Sequence, residues 1–223
     1  MKKAMILAAG RGERMRPLTD FTPKPLIRAG AKPLIQYHIE ALTSAGFTQI
    51  IINHAYLGEQ IENYLGDGQQ FGINIHYSPE STALGTGGGI LNALPFFDSQ
   101  PFLVVNADVW CDINFATLNL PQNSLAHLIL VANPDHNLKG DFYLQDHYVR
   151  NEGTKPSLTF SGIGIYHPAL FATSKPGNFA LTPLLRAACE NDQVSGQYYT
   201  GRWLDIGTPE RLNELEQILS TTR

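Results

Sequence analysis

The 223-residue chain contains no apolar run long enough to span a bilayer, which excludes a membrane-spanning helix. Its basic start, Met1-Lys2-Lys3, resembles the opening of an export signal. The apolar stretch that follows stops after Ala9, at Gly10-Arg11-Gly12-Glu13-Arg14, so export is not expected and the expected location is cytoplasmic. There are two cysteines, Cys111 and Cys189, far apart and outside any CxxC pair. That excludes a disulfide scaffold or a cysteine metal knuckle, and both read as reduced, structural thiols. Charge is scarce, at 16% of residues with a formal net charge of −4, which argues against a general nucleic-acid binder. Internal repeats, low-complexity tracts and Pro/Gly/Ser linkers are absent as well, and one domain over residues 1–223 is expected.

Lysine and arginine are missing altogether between Pro33 and Leu138, whereas Arg11, Arg14, Arg16, Lys24 and Arg28 crowd one short stretch. A solvated charged loop is the ordinary explanation of such a run. A cluster that attracts a small polyanion to one place is the other. The neighbouring residues decide between them.

Hydrophobic periodicity predicts strands over Lys3–Ala8, Gln49–Asn53, Ile73–Tyr77 and Phe102–Val105. Helices are predicted over Pro33–Ala45, Leu57–Leu65 and Thr86–Leu94. The first of these carries Leu34, Ile35, His38, Ile39 and Leu42 at helical spacing, with Gly46 as C-terminal cap. Alternation of this kind predicts an α/β fold with a Rossmann-like, mostly parallel mixed sheet flanked by helices. The second half is less regular. Strands are expected over Leu125–Val131, Asp141–Leu144 and Ser157–Tyr166, and a helix over Leu181–Glu190. A last helix opens at Pro209 with Leu212, Leu215 and Leu219 on its apolar face.

The basic cluster lies where the first strand ends, the edge at which open α/β sheets bind ligands. Gly10 and Gly12 free the backbone to turn N–H groups toward phosphate. Arg14 and Arg16 supply planar forks that match phosphate oxygens, and Lys24 supplies a point charge. Two familiar phosphate loops are excluded: the third glycine of a dinucleotide fingerprint is replaced by Met15, and the Gly-Lys-Ser/Thr of a P-loop is missing. A connection as long as Gly10–Leu26 is either functional or disordered, and Pro17, Pro23 and Pro25 disfavour disorder.

Leu7-Ala8-Ala9-Gly10-Arg11-Gly12-Glu13-Arg14-Met15-Arg16-Pro17-Leu18-Thr19, followed by Thr22-Pro23-Lys24-Pro25-Leu26, resembles the signature of the sugar-1-phosphate nucleotidyltransferases. The resemblance implies a GT-A-like nucleotidyltransferase fold, with residues 1–110 as the nucleotide-binding half and 111–223 as the sugar-binding half. It implies that Ala8, Ala9 and Gly10 line the nucleoside and that Gly12, Glu13 and Arg14 wrap the triphosphate. Lys24 would hold the reacting phosphates, and Gly85-Thr86-Gly87, otherwise a flexible turn before a helix, would approach the base. Asp108 and Asp205, each alone readable as a turn or cap residue, are paired by the resemblance as ligands of Mg²⁺, which suits two carboxylates joined by phosphate oxygens. Attack by the sugar phosphate on the α-phosphorus then releases pyrophosphate, with Arg14, Lys24 and Asp108 in catalytic roles. No general base is needed, because the attacking oxygen is already anionic. His38, His54, His76 and His127 accordingly read as packed or hydrogen-bonded.

The whole chain resembles the short bacterial N-acetylmuramate α-1-phosphate uridylyltransferases of cell-wall recycling. The stretches that carry this are Ile52-Asn53-His54-Ala55-Tyr56-Leu57-Gly58, Val105-Asn106-Ala107-Asp108-Val109-Trp110, Lys139-Gly140-Asp141-Phe142 and Thr159-Phe160-Ser161-Gly162-Ile163. UTP and a sugar 1-phosphate are the implied substrates, with Asn106 and Asp141 facing the sugar; Asp141 reads equally as a strand-start turn residue. The alternatives are a hexose-1-phosphate transferase using GTP or dTTP and, from another class, a nucleotide-sugar sensor without turnover. Neither nucleic acid nor membrane is an expected partner.

Overall fold

The computed structural model describes residues 2–221. Its first elements are β1 (Lys2–Leu7), β2 (Arg28–Ala29), β3 (Lys32–Pro33), α1 (Leu34–Ser44), β4 (Phe47–His54), α2 (Gly58–Leu65), β5 (Asn74–Pro79) and α3 (Gly85–Ala93). Then come β6 (Phe102–Asn106), β7 (Val109–Cys111), β8 (Ala126–Val131), β9 (Tyr143–Gln145), β10 (Tyr148–Arg150) and β11 (Thr159–Tyr166). The chain finishes with α4 (Thr182–Cys189), β12 (Val194–Tyr198), β13 (Trp203–Asp205) and α5 (Pro209–Thr221). Two compact units form. The first takes the residues up to Ala83, Val105–Ala116 and those from Arg202 onward; the second takes Leu84–Val104 and Thr117–Gly201.

In the first unit β1, β4 and β5 lie side by side, all parallel, with Ile6 opposite Ile52 and Ile52 opposite Tyr77. Strands covered on both faces read as unbroken apolar runs. Here Ala4, Met5 and Ile6, and Ile50, Ile51 and Ile52, are fully buried. Helix α1 buries Leu34, Ile35, His38, Ile39 and Leu42, the stripe its spacing predicts, and stops before Gly46 at φ 80°, a left-handed turn that favours glycine. A second apolar cluster joins distant parts of the chain: Met15, Ile27, Ala29, Leu34, Ile206, Leu212 and Leu215, with Leu219 packed against it. Through it, α5 and the segment after β1 share a core. The short β7 and β13 pair antiparallel, Val109 opposite Asp205.

In the second unit the strand order is β11-β8-β12-β10-β9. The buried strand β8 lies antiparallel to β11 and parallel to β12. Gly87 and Gly88 sit in the first turn of α3, where a Cβ on Gly88 would lie 2.1 Å from the carbonyl oxygen of Gly177. The glycines let the 177–180 segment approach the helix, and the N–H groups of Gly87 and Gly88 donate to the carbonyl of Phe179 at 3.0 and 3.2 Å.

The fold is α/β, with a mostly parallel mixed sheet and flanking helices. The predicted elements are present with shifted ends. Pro33 belongs to β3, with the helix starting at Leu34, and Asp141 precedes its strand instead of opening it. The hairpin β2–β3 and the strands β7, β10, β12 and β13 were not predicted; all of these strands except β12 are two or three residues long, too short for alternation to register. Among the described residues, no helix is long and apolar enough to cross a membrane.

Candidate active site

The end of β1 is fixed by hydrogen bonds to the segments on either side of it. The carbonyl of Leu7 accepts from Ala107 N–H at 3.0 Å, which ties the end of β1 to the turn after β6. Ala8 N–H donates to Asn53 Oδ1 at 3.0 Å, and Asn53 Nδ2 donates to Glu80 Oε1 at 2.7 Å, all three residues being buried. Ala8 thus leaves the strand held through Asn53 to Glu80.

The loop then turns at Gly12, whose φ of 71° lies in the left-handed region that glycine adopts at low cost. Glu13–Met15 form one 3-10 turn and Lys24–Leu26 another. Thr19 Oγ1 donates to the carbonyl of Gly12 at 2.9 Å, closing the loop on itself. Met15, at the position where a dinucleotide loop has glycine, is fully buried in the cluster shared with α5. Tyr56 holds the far side: its hydroxyl donates to the carbonyl of Asp20 at 2.7 Å, and the guanidinium of Arg11 lies over its ring at 4.2 Å. Gln60 adds a bond to the carbonyl of Phe21 at 3.0 Å. The long connection is therefore ordered, by proline, a buried methionine and side chains of the Ala55–Gln60 segment.

The result is a cavity of about 390 Å³ in the first unit. Gly10 to Arg14 and Lys24 line it from the loop, Asp108 from the turn between β6 and β7, and Gly207 from the segment before α5. Lys24 Nζ donates to Asp108 Oδ2 at 2.7 Å, with the lysine side chain 8% exposed and the aspartate 37%. A cation so desolvated is stable only beside an anion. Asp205, across the ribbon from Val109, is joined to the same turn, since Ile206 N–H donates to the carbonyl of Asp108 at 2.7 Å. Its Oδ2 accepts from Arg211 Nη1 at 2.6 Å. Each predicted metal carboxylate thus carries a basic partner.

Asp108, in the turn before β7, and Asp205, on β13, are brought together by the β7–β13 ribbon. Among the described residues no group of three or more His, Cys, Asp or Glu could form an all-protein metal cage. Two carboxylates completed by phosphate oxygens are the donor set that fits Mg²⁺, and the residues present fit it.

Asn106 is half-buried at the end of β6, one turn from Asp108. Gly85, Thr86, Gly87 and Asp141 belong to the second unit. There Thr86 Oγ1 accepts from Leu181 N–H at 2.9 Å. Asp141 Oδ2 accepts from Phe160 N–H at 2.8 Å and Oδ1 from Asn137 Nδ2 at 3.2 Å, so its carboxylate is bound within the unit.

The histidines lie where packing puts them. His38 is buried behind the Asn106–Val109 turn, and burial pushes its pKa down to about 4. His54 meets Glu62 at 2.6 Å and His127 meets Ser195 at 2.9 Å, while His76 is exposed on β5. Burial lifts the Cys111 thiol to about 12, so it is no nucleophile at neutral pH. Sequence reasoning assigned no part to Arg211, Gly207, Tyr56 or the Asn53–Glu80 pair, whose contacts appear only in the fold.

The nucleotidyl transferase family model matches residues 3–138, more than half of the chain. The chain belongs to this family. The transferase is 55% identical to the N-acetylmuramate α-1-phosphate uridylyltransferase of Neisseria meningitidis serogroup B, over 97% of each chain. It is 33% identical to the mannose-1-phosphate guanylyltransferase catalytic subunit beta of Drosophila pseudoobscura, over 93% of its own length and 60% of that protein's. A putative glucose-1-phosphate thymidylyltransferase from Bacillus anthracis, solved with sucrose, superimposes with a TM-score of 0.84 at 23% identity, covering 98% of the transferase and 95% of that chain. At that identity the likeness is one of fold. The transferase is an enzyme of nucleotidyl transfer, and its resemblance to the uridylyltransferases extends over almost its whole length.

Proposed function

We propose that the transferase moves UMP from UTP to N-acetylmuramate α-1-phosphate, giving UDP-N-acetylmuramate and pyrophosphate, in cytoplasmic cell-wall recycling. The observation that carries this reading is the 55% identity over 97% of both chains with the Neisseria uridylyltransferase. Residues 1–110 serve the nucleotide and 111–223 the sugar, as halves of one domain.

The roles follow from charge and position. The backbone from Ala8 to Gly10 lines the nucleoside, Gly12 turns the loop around the triphosphate, and Arg14 presents its fork to it. Lys24 exchanges its bond to Asp108 for the reacting phosphates, where its positive charge stabilises the charge that develops in the transition state. Glu13 borders the triphosphate, and Gly85, Thr86 and Gly87 border the base, with the N–H of Gly87 already given to Phe179. Asn106 and Asp141 orient the sugar. Asp108 and Asp205 would hold Mg²⁺, which when bound neutralises charge on both reacting phosphates. The acceptor phosphate is anionic without help, so none of the histidines is asked to take a proton.

Asp108→Ala separates this reading from a nucleotide-sugar sensor occupying the same cavity. The wild type releases pyrophosphate from UTP and N-acetylmuramate α-1-phosphate, and the variant loses about a hundredfold or more of that rate while still binding UTP. Unchanged turnover in the variant would remove Asp108 from the chemistry. A wild type that binds UDP-sugar without turnover would favour the sensor.

A further inference from the structure

Arg211 stands in the first turn of α5, the end of a helix where a cation is disfavoured by the aligned peptide dipoles. Helix formation is therefore no reason for an arginine at this place. Its guanidinium reaches back past the helix to Asp205, Nη1 to Oδ2 at 2.6 Å, with side-chain exposures of 18% and 20%. Gly207 shows what else is there. A Cβ on Gly207 would lie 3.0 Å from Arg14 Nη2, 3.0 Å from Arg211 Nη2 and 3.0 Å from Asp205 Oδ1. The backbone of Gly207 is not left-handed, so space, and not conformation, is what its missing side chain provides. Two guanidinium groups and one carboxylate converge on that space, and Gly207 lines the phosphate-loop cavity.

Lys24 and Arg211 are thus placed alike, each holding one of the two aspartates that the proposed function gives to a cation. A carboxylate taken up by a divalent ion gives less to its former partner, and a guanidinium so released beside Arg14 is a second fork for phosphate oxygens. We propose that Arg211 is a further phosphate-binding residue of this enzyme. It is held on Asp205 in the absence of substrate and transferred to a substrate phosphate when Asp205 becomes a cation ligand. This rests on the reading of Asp108 and Asp205 given above, and it makes Arg211 a competitor of the divalent ion in the free enzyme and a partner of the phosphates in the complex.

Those two roles have opposite signs, and that makes them measurable. Mn²⁺ titrated into the nucleotide-free protein and followed by electron paramagnetic resonance reads the first; UTP titrated calorimetrically in the presence of Mg²⁺ reads the second, and the KM of the sugar 1-phosphate is recorded alongside. Arg211→Gln is expected to bind Mn²⁺ several-fold more tightly than the wild type, and to lose about tenfold in affinity for UTP or in the KM of the sugar 1-phosphate. Arg211→Lys, which keeps the charge without the fork, recovers part of the phosphate affinity. If Arg211→Gln does not fold, Arg211→Lys still decides, because loss of the fork must weaken phosphate binding without weakening Mn²⁺ binding. Phosphate and Mn²⁺ binding that both fall, or that both stay at wild-type values, would make Arg211 a fixed partner of Asp205 and overturn the proposal. A wild type that fails to form UDP-N-acetylmuramate would remove the substrate assignment alone, since the Mn²⁺ and UTP titrations need no sugar.

Discussion

Gly12 shows how much of the site depends on single atoms. Its φ of 71° is open to a residue without Cβ, and a Cβ there would stand 3.0 Å from Lys24 Cβ and 3.1 Å from Thr19 Cγ2. Gly12→Ala therefore combines a left-handed backbone costing about 1–2 kcal/mol with pressure on the stem of the lysine that binds Asp108. The expected outcome is a fall of a few degrees in the melting midpoint together with a larger loss in kcat/KM for UTP, read by thermal unfolding and pyrophosphate release. Wild-type kinetics in a stable variant would show that Lys24 is not positioned through this turn. At the same scale, Lys24, Arg14, Asp108 and Asp205 could be proposed from the sequence because they stand in a dense motif or at strand ends. Arg211 could not, since a basic residue early in a polar helix is indistinguishable from a solvated one until the fold brings Asp205 beside it.

Among the elements, the longest were legible and most of the two- and three-residue strands were not. The apolar runs of β1, β4 and β6 and the stripe on α1 carry enough residues for a period to show, and each lies within about two residues of its expected place. The ribbon β7–β13 is built from two three-residue strands more than ninety positions apart, and its pairing depends on the tertiary fold. Yet that ribbon brings the turn with Asp108 next to Asp205, so the least legible element is the one that assembles the two carboxylates. The phosphate loop is an intermediate case. Its proline content marks it as ordered, but its anchors do not show in sequence: Met15 enters a core shared with α5, and Tyr56 closes the loop from another segment. The first turn of α3 corrects a simpler expectation. Glycine-rich helix starts suggest open N–H groups, whereas Gly87 and Gly88 already donate to Phe179.

For the whole molecule, burial of neutral histidine sets a pH dependence. Burial pushes His38 from an ordinary 6.5 down to about 4 and lowers His127 as well. Below pH 6.5 the unfolded chain takes up protons that these buried rings refuse. Their contribution to stability is complete above 6.5 and is lost as the pH falls toward 4, on the order of 3 kcal/mol for His38. Urea midpoints recorded from pH 7 to 5, above the range in which ordinary carboxylates titrate, should fall steadily; a flat profile would show that the rings are not held neutral by the fold. Fold class, reaction class and most of the phosphate-loop cavity were legible from the chain alone, because each rests on local motifs or long periodic segments. Choice of sugar has no such local mark. The measurement that tests the account most directly is pyrophosphate release with each of the four NTPs against N-acetylmuramate, glucose and mannose 1-phosphates. The account predicts the highest kcat/KM for UTP with N-acetylmuramate α-1-phosphate. Release with glucose or mannose 1-phosphate, and none with N-acetylmuramate 1-phosphate, would contradict it.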